Sequence, residues 1–147
     1  AAAAEGIDDC YAFDIRSTGP FVIDLRPMVV DLCGDLRAGA ETPVISARFH
    51  NTVVSFLLAT AIRAREETAL NTVALSGGCF ANRYLTTRLT EALGAGDFEV
   101  LTHRRIPCND GGIALGQAVI AEARHRRRDA TSNEQDKHNV SGSTNKD

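Results

Sequence analysis

The feature that most restricts the fold lies between residues 72 and 123, where short apolar runs end on glycine pairs and hand over to helical stretches. Thr72–Ser76 (TVALS) is too short for a helix and stops at Gly77-Gly78, so it reads as a strand. A helix is expected over roughly Phe80–Leu93, with Leu85, Leu89 and Leu93 on one stripe and Gly94 and Gly96 after it. Phe98–His103 (FEVLTH) is the next strand. Pro107 and Asn109-Asp110-Gly111-Gly112 then break the chain before a helix of small residues, about Ile113 to Ala123. Strand, helix, strand, helix at this spacing predicts a right-handed βαβα unit, and with it an α/β fold.

The region before it supplies a hairpin and two helices. Tyr11–Arg16 (YAFDIR) and Phe21–Leu25 (FVIDL) both alternate, and the turn cluster Ser17-Thr18-Gly19-Pro20 separates them. Val29–Leu36 is a short helix closed by Gly39. Thr42 and Pro43 offer an N-cap and a proline at the first helical position. From there a long helix is expected to about Glu67, carrying Ile45, Phe49, Val53, Leu57 and Ala61 at i+4 spacing. Beyond Arg128 the chain is mostly Ser, Asn, Thr, Asp, Lys and Gly with a lone Val140, too little apolar surface to offset chain entropy. The expected organisation is therefore one unit over 1–128 and a disordered polar tail over 129–147.

Bulk properties exclude several classes of partner. A formal net charge of −3 gives no field that draws the chain to nucleic acid or an anionic membrane. The basic run Arg124, His125, Arg126, Arg127, Arg128 reads as a solvated helix end, with a nucleic-acid patch as the alternative. Cys10, Cys33, Cys79 and Cys108 are scattered, with no CxxC pair and no zinc spacing, which fits reduced thiols in a cytoplasmic protein. The apolar run Val53–Ile62 is too short to span a bilayer, and Ala1–Ala4 lacks the parts of a signal peptide. The opening on Ala suggests a fragment or excised domain.

Two loops can carry chemistry. In Ser76-Gly77-Gly78-Cys79-Phe80-Ala81-Asn82-Arg83, two glycines permit close backbone approach to a ligand, and the following helix points its positive end there. Asn82, in the first turn of that helix, could pair with a nucleotide's base or ribose edge; a plain tight turn is the alternative. In the second loop Asp110 precedes Gly111 and Gly112, and it reads either as an N-cap or as a carboxylate toward a divalent metal. In a parallel sheet both loops open at the carboxyl ends of neighbouring strands. His50 is either a hydrogen-bonded core histidine or a ligand. No histidine is placed by sequence to activate Cys79 or Cys108, so both are expected to pack as small residues.

The strings ARFHNT (Ala47–Thr52), VALSGGCFANR (Val73–Arg83) and FEVLTHRRIPCNDGGIALGQA (Phe98–Ala118), with YAFDI and VIDLRP ahead of them, resemble the end of HypF-type carbamoyltransferases. The resemblance covers about Tyr11 to Ala123. It implies the second half of an actin/Hsp70-like (ribonuclease H-like) domain. It further implies that carbamate released from carbamoyl phosphate is joined to ATP as carbamoyl-adenylate. The carbamoyl group then passes to the C-terminal cysteine of a partner maturation protein, toward the cyanide ligands of nickel–iron hydrogenase. Gly77, Gly78 and Asn82 match positions at the adenosine end of the nucleotide, Gly111 and Gly112 lie alongside the phosphates, and Asp110 matches a carboxylate that binds the metal.

The family's HxxxH pair is absent from this chain, as His50, His103, His125 and His138 are not so spaced. The chain alone is thus expected to bind metal poorly, to be inactive, and to self-associate through the face its missing half would cover. A relative acting on a hydroxyl or on tRNA is a second reading, against which NDGGIALGQA speaks. A non-catalytic nucleotide-binding or interaction module is a third.

Overall fold

The computed structural model describes residues 6–16 and 21–141, with side chains described as far as Arg128. Strands β1 (Asp14–Arg16) and β2 (Val22–Asp24) pair antiparallel, with Ile15 opposite Ile23. They form the expected hairpin; its turn, 17–20, lies outside the described residues. Asp24 closes the hairpin by accepting from Arg16 at 2.7 Å and from Arg26 Nε at 2.8 Å. Hydrogen bonds from Arg26 hold the Asp24 carboxyl well below the usual carboxylate range.

Helix α1 (Arg26–Arg37) begins three residues earlier than its apolar pattern suggested, with Pro27 in its first turn. It ends where Gly39 takes φ +73 and Ala40 N–H returns to Asp35 O at 3.0 Å. Helix α2 (Thr42–Thr68) matches the long helix, but its cap is Glu41, not Thr42. Glu41 is extended, and its carbonyl already accepts from Val44 N and Ile45 N at 2.9 and 3.1 Å, so Thr42 lies inside the helix. By length and composition α2 could cross a membrane, although the run Val53–Ile62 alone is too short. In this chain its Val54, Leu57, Leu58 and Ala61 pack instead on the core.

The lead-in is tied to α2 and α1 by a compact polar latch. Tyr11 is 1% exposed; its N–H donates to Thr52 Oγ1 at 2.8 Å and its hydroxyl to Asp35 Oδ2 at 2.8 Å. Arg48 shares Asp35 and stacks 4.4 Å over the Tyr11 ring. Burial, reinforced by the bond to Asp35, pushes the Tyr11 phenol up to about 12. Asn51 adds two bonds to the lead-in carbonyls of Ile7 and Asp9, at 2.8 and 3.1 Å.

Strands β3 (Thr72–Leu75) and β4 (Glu99–Thr102) pair parallel, Thr72 opposite Glu99 and Leu75 opposite Thr102. Helix α3 (Arg83–Ala95) connects them, giving the expected βαβ unit. Its Leu85, Leu89 and Leu93 are buried, and Leu89 and Leu93 meet Leu75 and Phe98 in the main core. Each fully buried leucine contributes on the order of 2 kcal/mol of transfer free energy. At the far end of the sheet Arg65 donates to Gly96 O at 2.8 Å and lies 4.1 Å over the Phe98 ring. Arg65 also donates to Asn71 Oδ1 at 3.2 Å, so the amino ends of both strands are fixed to α2.

A last helix, α4 (Ile113–Ser141), follows a single 3-10 turn. Its backbone runs past Ala123 through part of the segment expected as a polar tail, 129–147. Residues 129–141 hold neither glycine nor proline and include helix formers Ala130, Glu134, Gln135 and Lys137, while Gly142 follows the last helical residue. Residues 142–147 lie outside the described residues. Along α4 every residue from Ile113 to Arg128 is exposed.

Candidate functional site

The first loop begins where buried Leu75 ends β3. Gly77 then takes φ 111 and ψ 159, a conformation open in practice only to glycine. Nothing lies within 4 Å of where its Cβ would stand, so the space before it is open. A 3-10 turn over Gly78–Ala81 follows, closed by Phe80 N–H to Gly77 O and Asn82 N–H to Cys79 O, both at 3.1 Å.

This turn corrects the expected start of the helix. The pattern placed Asn82 within a first turn beginning near Phe80, whereas α3 starts at Arg83 and Asn82 is its N-cap. The carboxamide oxygen of Asn82 accepts from Leu85 N–H at 3.2 Å, satisfying one of the amides that a helix start leaves free. Its amide nitrogen lies 2.8 Å from His50 Nε2, and His50 Nδ1 lies 2.7 Å from Ser46 O one turn back on α2. The half-buried imidazole sits edge-on between the rings of Phe49 and Tyr84.

The second loop leaves β4 at Thr102 and reaches the first at once. His103 Nε2 lies 2.9 Å from Ser76 Oγ, linking the two strand ends. Gly77 N–H donates to Cys108 O at 2.7 Å, and a Cβ on Gly78 would lie 4.0 Å from Asn109 Cβ. The structure thus brings Gly77 and Gly78 against the loop that carries Asp110, at the carboxyl edge of the parallel pair, as expected.

Capping of the turn at Asp110–Gly112 falls to Asn109, not to Asp110. Asn109 Oδ1 accepts from Gly111 N–H at 3.1 Å, and its backbone oxygen accepts from Gly112 N–H at 3.0 Å. Both glycine N–H groups are therefore engaged within the loop. Gly112 is required sterically, because a Cβ there would stand 2.8 Å from Pro107 O and 3.0 Å from Ile106 Cγ2. Asp110 is exposed, and its carboxylate makes no hydrogen bond or ion pair among the described residues.

A divalent metal does not find a complete donor set here. No group of three or more His, Cys, Asp or Glu side chains that could hold a metal occurs among the described residues. Asp110 stands as one exposed carboxylate. Of the two loop cysteines, Cys108 is half-buried and Cys79 is exposed, so only Cys108 fits the expected small-residue packing. The His50–Asn82, Ser76–His103 and Asn109 contacts were not predicted. Their members sit in quoted strings, but pairing across elements leaves no periodic trace within any one of them.

Parallel strands whose carboxyl ends carry two touching glycine loops define an α/β domain of the ligand-binding kind. Residues 1–117 match the family described as "Carbamoyltransferase, Kae1-like Domain, second subdomain", and the chain belongs to that family. It is 36% identical over 118 residues to the "Carbamoyltransferase HypF2" of Cupriavidus necator, covering 80% of this chain and 14% of that protein. With the "Carbamoyltransferase HypF" of Rhizobium leguminosarum it shares 38% identity over 106 residues, 71% of this chain and 14% of the other. A crystal structure of full-length HypF in the phosphate- and nucleotide-bound form superimposes with a TM-score of 0.76 and 45% identity, over 81% of this chain and 16% of that one. The chain spans about one seventh of the length of these relatives.

Proposed function

We propose that this chain is the nucleotide-facing second half of an actin/Hsp70-like domain in a cytoplasmic, ATP-dependent carbamoyltransferase. The observation that carries the reading is the Gly77–Cys108 hydrogen bond, which joins the two glycine loops at one edge of a parallel pair. The phosphate- and nucleotide-bound state of the full-length HypF, whose backbone is similar over the part this chain matches, supports it.

In this reading the open conformation at Gly77 and Gly78 admits the adenosine end of ATP, and Asn82 offers it a carboxamide. Gly111 and Gly112 lie alongside the phosphates without donating N–H groups, since Asn109 already takes both. Their lack of side chains lets Pro107 and Asn109 close the turn tightly there. Asp110 supplies one free carboxylate toward a divalent metal, whose other donors come from outside this chain. Carbamate derived from carbamoyl phosphate attacks the α-phosphorus of ATP, expelling pyrophosphate and leaving carbamoyl-adenylate. A cysteine thiol at the C-terminus of a partner protein then attacks the carbamoyl carbon and displaces AMP. The contribution of these loops is placement of the nucleotide.

The test is Asp110→Ala in the complete enzyme. Carbamoyl transfer is expected to fall by two orders of magnitude or more, with the circular dichroism unchanged. Full retained transfer removes Asp110 from the site. By itself this chain leaves an apolar trough of about 470 Å³ open between α2 and the sheet, with Leu57, Ala61 and Val73 in its walls. That face, with the exposed Leu70 at its edge, is proposed to drive self-association, which sedimentation equilibrium would detect as a concentration-dependent mass.

A further inference from the structure

We propose that His50 is a positioning residue, a neutral imidazole protonated on Nδ1 that fixes the carboxamide of Asn82 in one orientation at the mouth of the first glycine loop. The inference rests on the reading of Asn82 as a nucleotide-facing group, and it assigns the residue that makes that group ready.

The donors and acceptors around the two side chains admit one arrangement. Leu85 N–H can only donate, so the group of Asn82 that faces it at 3.2 Å is the oxygen. The NH2 group of Asn82 therefore faces His50 Nε2 at 2.8 Å, and an NH2 group can only donate. Nε2 must hold a lone pair. The other ring nitrogen lies 2.7 Å from Ser46 O, a carbonyl that can only accept, so Nδ1 carries the proton. All three contacts are satisfied together by one tautomer, and by one orientation of the amide. A flipped Asn82 would set two donors against each other at Leu85. An imidazolium would do the same at His50.

The ring is held for this task. Ser46 and His50 are i and i+4 on α2, so the helix itself sets the ring's direction. The rings of Phe49 and Tyr84 flank the imidazole at 5.5 and 5.6 Å between centroids, both edge-on. Tyr84 is in turn fixed by its hydroxyl, which donates to Asn51 Oδ1 at 3.0 Å. Asn82 keeps one amide hydrogen and one oxygen lone pair free, and an adenine or ribose edge can meet both kinds of group.

The experiment uses nitrogen-15 NMR of the 147-residue chain, with His50→Ala and His50→Gln as variants. Wild type is expected to show the neutral Nδ1–H tautomer at His50 near neutral pH. One side-chain amide proton of Asn82 should exchange roughly fivefold to tenfold more slowly than that of a solvated asparagine. His50→Ala should remove that protection, and His50→Gln, which returns an acceptor oxygen near Nε2, should restore it. A merely space-filling histidine would not give this rescue. An Nε2-protonated ring, or protection unchanged in His50→Ala, overturns the proposal.

In the complete enzyme, His50→Ala and Asn82→Ala should each raise the KM for ATP, and the double variant should raise it no further than Asn82→Ala. Unchanged KM in Asn82→Ala, with the NMR result as expected, would sink the nucleotide reading and leave the positioning role standing.

Discussion

The two glycine loops lie side by side but are supported in different ways. The first grows out of a buried strand end, is capped by Asn82, and is bound through His50 to a helix 32 residues earlier in the chain. The second is braced mainly from within, by Asn109, and touches the first through Gly77 and Cys108 and through Ser76 and His103. The helix after the first loop buries three leucines, whereas the helix after the second is exposed at every position from Ile113 to Arg128. The first loop is thus seated on the chain's own core, whereas the second leads into a helix that finds no such seat among the described residues.

The largest expected effect would break the first region. Leu93→Ala removes a side chain 1% exposed, packed with Leu75, Leu89 and Phe98, and should lower urea-measured stability by about 3 kcal/mol. Leu115→Ala on α4, where the side chain is 50% exposed, should cost no more than about 0.5 kcal/mol. Similar losses at the two positions would refute the asymmetry.

The next test sharpens the contrast between the loops. Gly77→Ala meets no atom within 4 Å but forces φ +111 on an L-residue, so its cost, on the order of 2 kcal/mol, should be conformational. Gly112→Ala meets Pro107 O at 2.8 Å, so the second loop must shift. Because that loop has few ties, its shift should appear as local chemical-shift changes over residues 106–113 with a smaller loss of global stability. Changes spread through α3 would show that the second loop is as firmly seated as the first.

The same asymmetry decided what could be read from sequence. The βαβ unit and α2 were legible because each lays an apolar face on the core, and the hairpin because a turn cluster separates two alternating runs, although β1 itself is exposed. The leucine stripe of α3 located its packing correctly, yet not its first residue, since a carboxamide cap competes with continuing the helix and periodicity does not register the competition. Asp110 and Asn109 are both capable caps, and only the backbone geometry chose Asn109. The backbone of α4 beyond Ala123 has no signature in the sequence, since its residues carry no repeating apolar stripe. The family motifs located both loops, but the partners of Asn82 and Ser76 come from other elements of the chain.

A smaller effect tests whether α2, which carries His50, is held by the lead-in. Tyr11→Phe removes the hydroxyl that donates to Asp35, leaving Arg48 to hold that carboxylate, and should cost about 1 kcal/mol near neutral pH. Its pH dependence separates the hydroxyl from the ring. The Tyr11 phenol is raised from 10.0 to about 12, chiefly by burial and then by the bond to Asp35. A pKa raised on folding means that the folded state binds the proton more tightly than the unfolded chain. Its contribution is therefore complete below the unfolded value near 10 and is lost as pH rises toward the folded value near 12. Urea midpoints of the natural chain should fall across that window more steeply than those of Tyr11→Phe, so the two curves should cross within it, because burial penalises the phenolate and phenylalanine never forms one. Parallel curves would mean that Tyr11 anchors the lead-in through its ring over Arg48 and its backbone bond to Thr52, with no contribution from the hydroxyl.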